Sequence, residues 1–192
     1  MKKLFFYLIG FVVLLSQSSC GYNDMVAKDE NVEAAWANVQ NAYQRRADLV
    51  PNLVNTVKGA ANFEKETLTQ VIEARAKATS VNITPDNLTP ENIQRFQQAQ
   101  GELSGALSRL LVSVERYPDL KANQNFLELQ SQLEGTENRI AVERRKFNES
   151  VQDYNSYIRS FPRNFIAGWF DFEKKGYFEA DAASQKAPSV QF

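Results

Sequence analysis

Apolar residues recur every three or four positions along most of this chain, and this spacing constrains its fold more than any other feature. One run is formed by Ile93, Phe96, Gln100, Leu103, Leu107, Leu110, Val114 and Tyr117. A second run from Phe126 to Ile158 keeps the same spacing for about nine turns. Steps of three and four place side chains on one face of an α-helix. The pattern therefore predicts two long helices, and the short break between them predicts an antiparallel pair.

The region before residue 80 shows the same signature. Its seam is formed by Val32, Trp36, Val39, Tyr43, Arg46, Val50, Leu53, Val57 and Ala60. Pro51 falls inside this run and removes one backbone hydrogen bond, so we expect a kink or a brief restart there. A shorter helix follows around Leu68 and Val71 and ends in the loop 79–85. Almost nothing alternates as a strand does, so the predicted class is all-α: an antiparallel bundle of about four long helices with a C-terminal aromatic tail packed on it.

The chain begins with the features of an export signal. Lys2 and Lys3 precede an unbroken apolar run from Leu4 to Leu15, and small residues lead into Cys20, the sole cysteine. As a helix this run spans about 18 Å, against ~30 Å for a membrane core. The arrangement resembles a bacterial lipoprotein signal: residues 1–19 form the signal peptide, and Cys20 becomes the lipidated first residue, carrying palmitate-type acyl chains. An uncleaved signal anchor is the alternative.

One exported domain accounts for the rest of the chain. We divide it into a helical bundle over residues 20–160 and an aromatic segment over residues 161–192 that belongs to the same domain. With a single cysteine, no disulfide can form within the chain, so packing alone holds the domain together. The expected location is the extracytoplasmic side of a membrane, periplasmic or on the outer membrane in a diderm bacterium, with the lipid as anchor.

Several segments resemble a known family. They are the stretch 33–64, EAAWANVQNAYQRRADLVPNLVNTVKGAANFE, with Tyr22-Asn23 before it, Ala74-Arg75 after it, and Tyr154-Asn155, Phe161-Pro162, Ile166-Ala167, Phe178 and Pro188–Phe192 near the end. Together they are similar to the LemA family over nearly the whole chain after the leader. The resemblance implies a membrane-attached antiparallel helical bundle outside the cytoplasm, in a family whose biochemical role is undefined. Typical members carry an N-terminal transmembrane helix, which a lipid at Cys20 replaces here.

Composition argues against most catalytic chemistry. The chain has no histidine, which removes the commonest general base and zinc ligand, and acylation uses its only thiol. Carboxylate pairs such as Glu64 and Glu66 are typical of a solvated helix surface. The chain carries 22 basic and 23 acidic residues and, without Lys2 and Lys3, a net charge of −3, which is unlike a nucleic-acid-binding surface. We therefore predict no enzyme, no catalytic residue, no metal, no cofactor and no nucleic-acid partner.

A charged group within the seams is the most open to a functional interpretation. It comprises Arg45, Arg46, Asp48 and Arg144. Arg46 and Arg144 occupy seam positions, and a buried guanidinium needs a carboxylate partner. The candidate partners are Asp48, Glu64 and Glu143. The favoured interpretation is a polar layer that fixes helix register. The alternative is a pocket for an anionic ligand or for the C-terminus of a partner.

Aromatic residues are dense after residue 160. We expect them to cover the apolar end of the bundle. Alternatively, Trp169 and Phe170 lie in the membrane interface, where Lys174 and Lys175 could meet anionic headgroups.

Two functions follow from these patterns. The favoured one is a membrane-anchored, non-enzymatic interaction or scaffold protein of the cell envelope, whose partner is an envelope protein or another copy of itself. The alternative is a small-ligand binding or sensing domain that uses the Arg46 region between helices.

Overall fold

The computed structural model describes residues 2–59 and 63–179, with side chains from residue 21 onward. Within these ranges the helices are α1 Lys2–Lys58, α2 Lys65–Ser80, α3 Pro90–Val114, α4 Pro118–Lys121, α5 Gln124–Arg159 and α6 Arg163–Trp169, with a 3-10 turn at Pro85–Asn87. The prediction of an all-α bundle is confirmed. The Cys20 side chain and the closing segment Pro188–Phe192 lie outside the described residues.

The four longer helices alternate in direction along the bundle. Asp24 and Tyr157 meet near one end of the α1–α5 pair, while Arg46 and Glu137 meet further along it, so these two helices are antiparallel. Lys77 of α2 pairs with Glu102 of α3, and Glu64, just before α2, pairs with Arg116, just after α3, so α2 and α3 also run antiparallel. Helix α1 packs mainly on α5, and α2 packs mainly on α3.

Buried apolar side chains form two clusters stacked along the bundle. The proximal core includes Met25, Trp36, Tyr43, Phe96, Ile140, Phe147 and Phe178. The distal core includes Leu49, Leu53, Val57, Leu103, Leu110 and Leu133. On α1 the proximal core ends at Tyr43 and the distal core begins at Leu49, so between one and two turns of helix separate them.

A hydroxyl side chain caps the start of α3. The Thr89 hydroxyl accepts a hydrogen bond from the backbone N–H of Asn92 at 3.3 Å, and Pro90 occupies the first helical position. Asn123 caps α5 in the same way, because its side-chain oxygen accepts from the N–H of Phe126 at 3.2 Å. Both caps satisfy N–H groups that have no partner within their own helix.

Pro51 does not interrupt α1, so of the kink or brief restart expected there, the restart is wrong. The helix continues through Pro51, whose side chain is exposed and clear of the core. A proline at this position leaves the carbonyl of Ala47 without its usual helical donor. Arg75 of α2 fills that place, donating from Nε to the Ala47 oxygen at 2.8 Å.

Helix α1 joins the N-terminal apolar run to the bundle. It contains 57 residues, a length of about 85 Å at the usual rise. It passes through Cys20 and reaches the proximal core at Met25. No helix in the part of the chain covered by the structure is both long and apolar enough to span a membrane.

Candidate functional site

Arg46 lies between the two cores, and only 1% of it is exposed. Among the largest fully buried side chains of the described residues, it is the only charged one. Its Nη1 donates to Ser104 Oγ and to Glu137 Oε1, each at 2.6 Å. Its Nη2 donates to the backbone oxygen of Gln100 at 3.1 Å and to its Oε1 at 2.7 Å. The Tyr43 ring centroid lies 5.1 Å from the guanidinium carbon. Nε is buried and finds no hydrogen-bond partner among the described residues.

Arg46, Gln100, Ser104 and Glu137 together form what we call the polar layer. Gln100 extends it to α2, because its Nε2 donates to the carbonyl of Ala78 at 3.2 Å. The layer therefore joins α1, α2, α3 and α5 at one level. Glu137 brings it to the surface, with 46% of its side chain exposed. These hydrogen bonds can form at only one alignment of the helices. Sliding one helix past another would break them, so the layer favours a single register.

The predicted carboxylate partners of Arg46 are wrong. Its partner is Glu137, whereas Asp48, Glu64 and Glu143 interact with Gln44, Arg116 and Lys146, respectively. Asp48 follows Arg46 by two residues on one helix, and side chains at that spacing do not face each other. The terminal nitrogens of Arg46 are engaged within the protein, so an anionic ligand would have to displace Glu137 or Gln100.

Arg45 and Arg144 lie outside the polar layer. Arg45 is exposed, with Nη2 3.4 Å from the side-chain oxygen of Gln132. Arg144 is half-buried, and Glu143 takes the buried position between Ile140 and Phe147, which corrects the predicted seam. Spacing alone does not distinguish Glu143 from Arg144, because a step of three followed by four and a step of four followed by three both stay on the same helical face.

Three side-chain amides hold the segment 172–179 against the bundle. Each amide donates to a backbone carbonyl of the segment and accepts from the backbone N–H of the same residue, as a neighbouring strand would. The pairs are Asn155 with Lys175, Asn148 with Phe178, and Gln97 with Glu179, with distances of 2.9–3.1 Å. We call these amides the tail clamp. Its six hydrogen bonds all go to backbone atoms of the segment, and sequence reasoning missed it.

Phe178 is the side chain that the clamped segment inserts into the proximal core. Its ring lies 5.5 Å from that of Phe147 and 6.1 Å from that of Trp36. Arg144 covers the outside, with its guanidinium carbon 4.9 Å from the Phe178 ring and its Nη2 donating to the Glu179 carbonyl at 2.8 Å. The expectation that the C-terminal segment covers apolar surface is met here.

Residues 161–170 of the aromatic segment expose four rings. The exposed rings are Phe161, Phe165, Trp169 and Phe170, which we call the aromatic face. Trp169 is 82% exposed, whereas Ala167 of the same short helix is buried. Covering the bundle therefore explains residues 172–178 but leaves Trp169 and Phe170 unexplained.

An ionic cluster lies beside the clamped segment. Lys175 Nζ is 2.5 Å from Asp29 Oδ1, next to a cavity of about 270 Å³ that Tyr154 also lines. Burial raises the pKa of Tyr154, and the nearby Asp29 and Glu173 raise it further. Burial also raises the pKa of Glu33, against the opposing effect of Lys175. No group of three or more potential ligand residues in the described ranges is arranged to hold a metal ion.

Comparison with known proteins gives a consistent result. A sequence model of the LemA family matches residues 35–192. Protein LemA of Metamycoplasma hominis is 24% identical over 180 residues, covering 92% of this chain and 78% of that protein. Magnetosome protein MamQ 2 of Paramagnetospirillum magneticum is 25% identical over 179 residues, covering 84% of this chain and 66% of that protein. Magnetosome protein MamQ of Magnetospirillum gryphiswaldense is 25% identical over 193 residues, covering 92% of this chain and 70% of that protein.

The family match takes in most of the chain. It begins on α1, just before Trp36, and includes the polar layer, the tail clamp and the aromatic face. The segments quoted above as a resemblance lie mostly within it. This chain therefore belongs to the LemA family.

Proposed function

We propose that this protein is a membrane-anchored, non-enzymatic interaction or scaffold module of the cell envelope, held on the extracytoplasmic side. The observation that carries the proposal is the absence of a linker, within the described residues, between the bundle and either anchor, the lipid at Cys20 or the apolar run itself. Helix α1 is continuous from Lys2, Asp24 already accepts a hydrogen bond from Tyr157 at 2.7 Å, and Met25 is fully buried. Whatever fixes the N-terminal region to a membrane thus also fixes the bundle close to it.

The chemistry of the bundle supports a binding role over a catalytic one. The buried polar groups of the polar layer bond to one another, and the tail clamp amides bond to the chain's own backbone. Two relatives bear the name magnetosome protein, and this name supports a role within a larger cellular structure. We extend to this chain only the general idea of assembly, with an envelope protein or a second copy as partner.

The anchor is tested by changing the cysteine. Metabolic labelling with a fatty-acid analogue should label the wild-type protein and place it in the membrane fraction. Cys20→Ser should abolish the label and prevent processing. Ser19→Ala is the matched control, since it keeps a small residue beside an intact thiol. An unlabelled wild-type protein that still fractionates with membranes would replace the lipoprotein with the signal anchor, and a wild-type protein absent from membranes would contradict the proposal.

The partner is tested by crosslinking in intact cells. Val112 is 71% exposed and lines a groove of about 730 Å³ between α2 and α3, at the end of the bundle away from Gly21. A photo-crosslinking residue at Val112 therefore samples the distal surface, and one at Tyr22 samples the opposite end. Mass spectrometry of the products should identify one recurrent envelope protein or this chain itself. Recovery of the uncrosslinked monomer alone from both positions would argue against an interaction module.

A further inference from the structure

The aromatic face stands beside the point where α1 enters the bundle. Ile166 of α6 lies against Gly21, where an added Cβ would be 3.8 Å from Ile166 Cδ1. The Phe170 ring centroid is 4.8 Å from that of Tyr22, which is itself partly exposed. The exposed rings and the first turns of α1 that carry described side chains therefore form one end of the molecule.

Packing fixes the orientation of these rings. Phe161, which precedes α6, and Phe165 within it have ring centroids 6.0 Å apart. Trp169 follows Phe165 by four residues in α6, a spacing that places both on one side of the helix. On the other side of α6, Ala167 is buried and Ile166 packs against the proximal core. The helix cannot turn its rings inward without removing Ala167 and Ile166 from that core, so the exposure is a consequence of the fold.

The N-terminal region defines what lies next to this end. Leu15, the last residue of the apolar run, precedes Gly21 by six residues in α1, which is about 9 Å along the helix axis. A lipid on Cys20 would be one residue from Gly21. In either anchoring mode the membrane surface comes within one or two helical turns of the aromatic face.

The side chains of this end suit the boundary between lipid and water. Tryptophan and phenylalanine favour that boundary, and an exposed cluster of them is unusual on a surface that contacts water alone. The charges around the rings are balanced, because the segment 163–174 carries two basic residues, Arg163 and Lys174, and two acidic ones, Asp171 and Glu173. Burial of aromatic surface, rather than attraction to anionic lipid, is therefore the dominant contribution.

We propose that the aromatic face inserts into the interfacial layer of the same membrane that holds the N-terminal anchor, and so sets the tilt of the bundle. The inference rests on the proposed membrane anchorage and adds a second contact to it. Two attachment points, one at the N-terminus and one at α6, would hold the bundle at a defined angle to the membrane. A single anchor would leave it free to pivot.

Tryptophan fluorescence gives a direct test, because the chain has two tryptophans in opposite environments. Trp36 is fully buried in the proximal core, whereas Trp169 is exposed. The full chain, purified with its native anchor, is reconstituted into phosphatidylcholine and phosphatidylglycerol vesicles whose acyl chains are brominated close to the headgroup. We expect loss of emission relative to unbrominated vesicles. Trp169→Phe should abolish that loss, while Trp36→Phe should keep it.

A second pair of variants tests the surface without removing the probe. Phe161→Ser with Phe165→Ser should reduce the quenching of Trp169, since both rings are exposed and contribute to the same side of α6. Val112→Ser is the matched control, an exposed apolar residue at the distal end, and should leave quenching unchanged. Circular dichroism of each variant confirms that the helices are intact.

Flotation of the same samples separates this inference from the proposed function. Protein that fails to float with the vesicles contradicts the membrane anchor. Protein that floats, with Trp169 neither quenched by brominated lipid nor shielded from aqueous acrylamide, overturns the second contact alone. Trp169 shielded from acrylamide but not quenched by lipid would also overturn it, because another protein or a second copy would then cover the aromatic face.

Discussion

Arg75 donates from Nε to the backbone carbonyl of Ala47 at 2.8 Å. That carbonyl is the one that Pro51, four residues later, leaves without a helical donor. A proline that would otherwise weaken α1 thus creates an acceptor on its surface, and α2 uses the acceptor to dock. The defect in one helix and the charged side chain of the other are two parts of one contact.

This contact predicts that Arg75 and Pro51 are energetically coupled. Arg75→Met should lower the free energy of unfolding by about 1.5–3 kcal/mol, the usual range for losing a hydrogen bond from a charged donor. In a Pro51→Ala background the new N–H can serve Ala47, so the same change should have a smaller effect. Urea unfolding of the four proteins in a double-mutant cycle measures the difference. Equal effects of Arg75→Met in both backgrounds would mean that the proline and the arginine act independently.

Much of the fold could be predicted because helical periodicity is a local property. Ile93, Phe96, Leu103 and Leu110 all lie in the core as their spacing predicts, since a side chain on the apolar face of a helix must be buried wherever the partner helix lies. Spacing does not decide which of two neighbouring apolar residues is buried. Val71 is buried and its neighbour Ile72 is 47% exposed, although steps of three and of four from Leu68 fall on the same helical face.

The type of the Arg46 contact could be predicted, but its partner residue could not. Burial of Arg46 follows from its seam position, and a carboxylate partner follows from the energy of a buried charge. Which carboxylate it is depends on how α1 and α5 align, and Glu137 lies 91 residues away in sequence. The tail clamp could not be predicted, because asparagine or glutamine on a helix has the same local sequence whether its amide faces solvent or a backbone.

The polar layer predicts a large loss of stability when its cation is removed. Arg46→Met should lower the free energy of unfolding by about 3 kcal/mol, because it leaves the buried amide of Gln100 without its donor. Arg45→Met is the matched control: this neighbour is exposed, and its change should have an effect within about 0.5 kcal/mol. Chemical denaturation followed by circular dichroism measures both. Wild-type stability in Arg46→Met would revive the hypothesis of a ligand pocket at this position.

Glu33 predicts how stability changes with pH. Burial raises its pKa, with Asp29, Glu30 and Asp86 adding to the effect and Lys175 opposing it. The folded state therefore holds this proton more tightly than the unfolded chain, and its contribution to stability falls as pH rises from the usual to the raised pKa. Glu33→Gln should consequently be more stable than wild type near pH 7, and the difference should shrink in acid.

The measurement for Glu33 is urea unfolding across that pH range. Glu73→Gln provides the comparison, since Glu73 is exposed on α2 and away from the ionic cluster. If both variants gain the same free energy of unfolding near neutral pH, the gain would reflect the lower net charge rather than the environment of Glu33.

Gly176 predicts where the clamped segment tolerates no side chain. A Cβ at this position would lie 2.7 Å from the Cα of Pro90, and the N–H of Gly176 donates to the carbonyl of Leu88, also at 2.7 Å. Gly176→Ala must therefore push the segment away from the start of α3, and we expect a loss of about 1–3 kcal/mol. Gly135→Ala is the control, because a Cβ on that residue of α5 meets nothing within 4 Å. It should stabilise the helix by about 0.5–1 kcal/mol. Thermal unfolding compares the two, and a melting temperature for Gly176→Ala at or above that of wild type would mean that the segment does not cross α3 this closely.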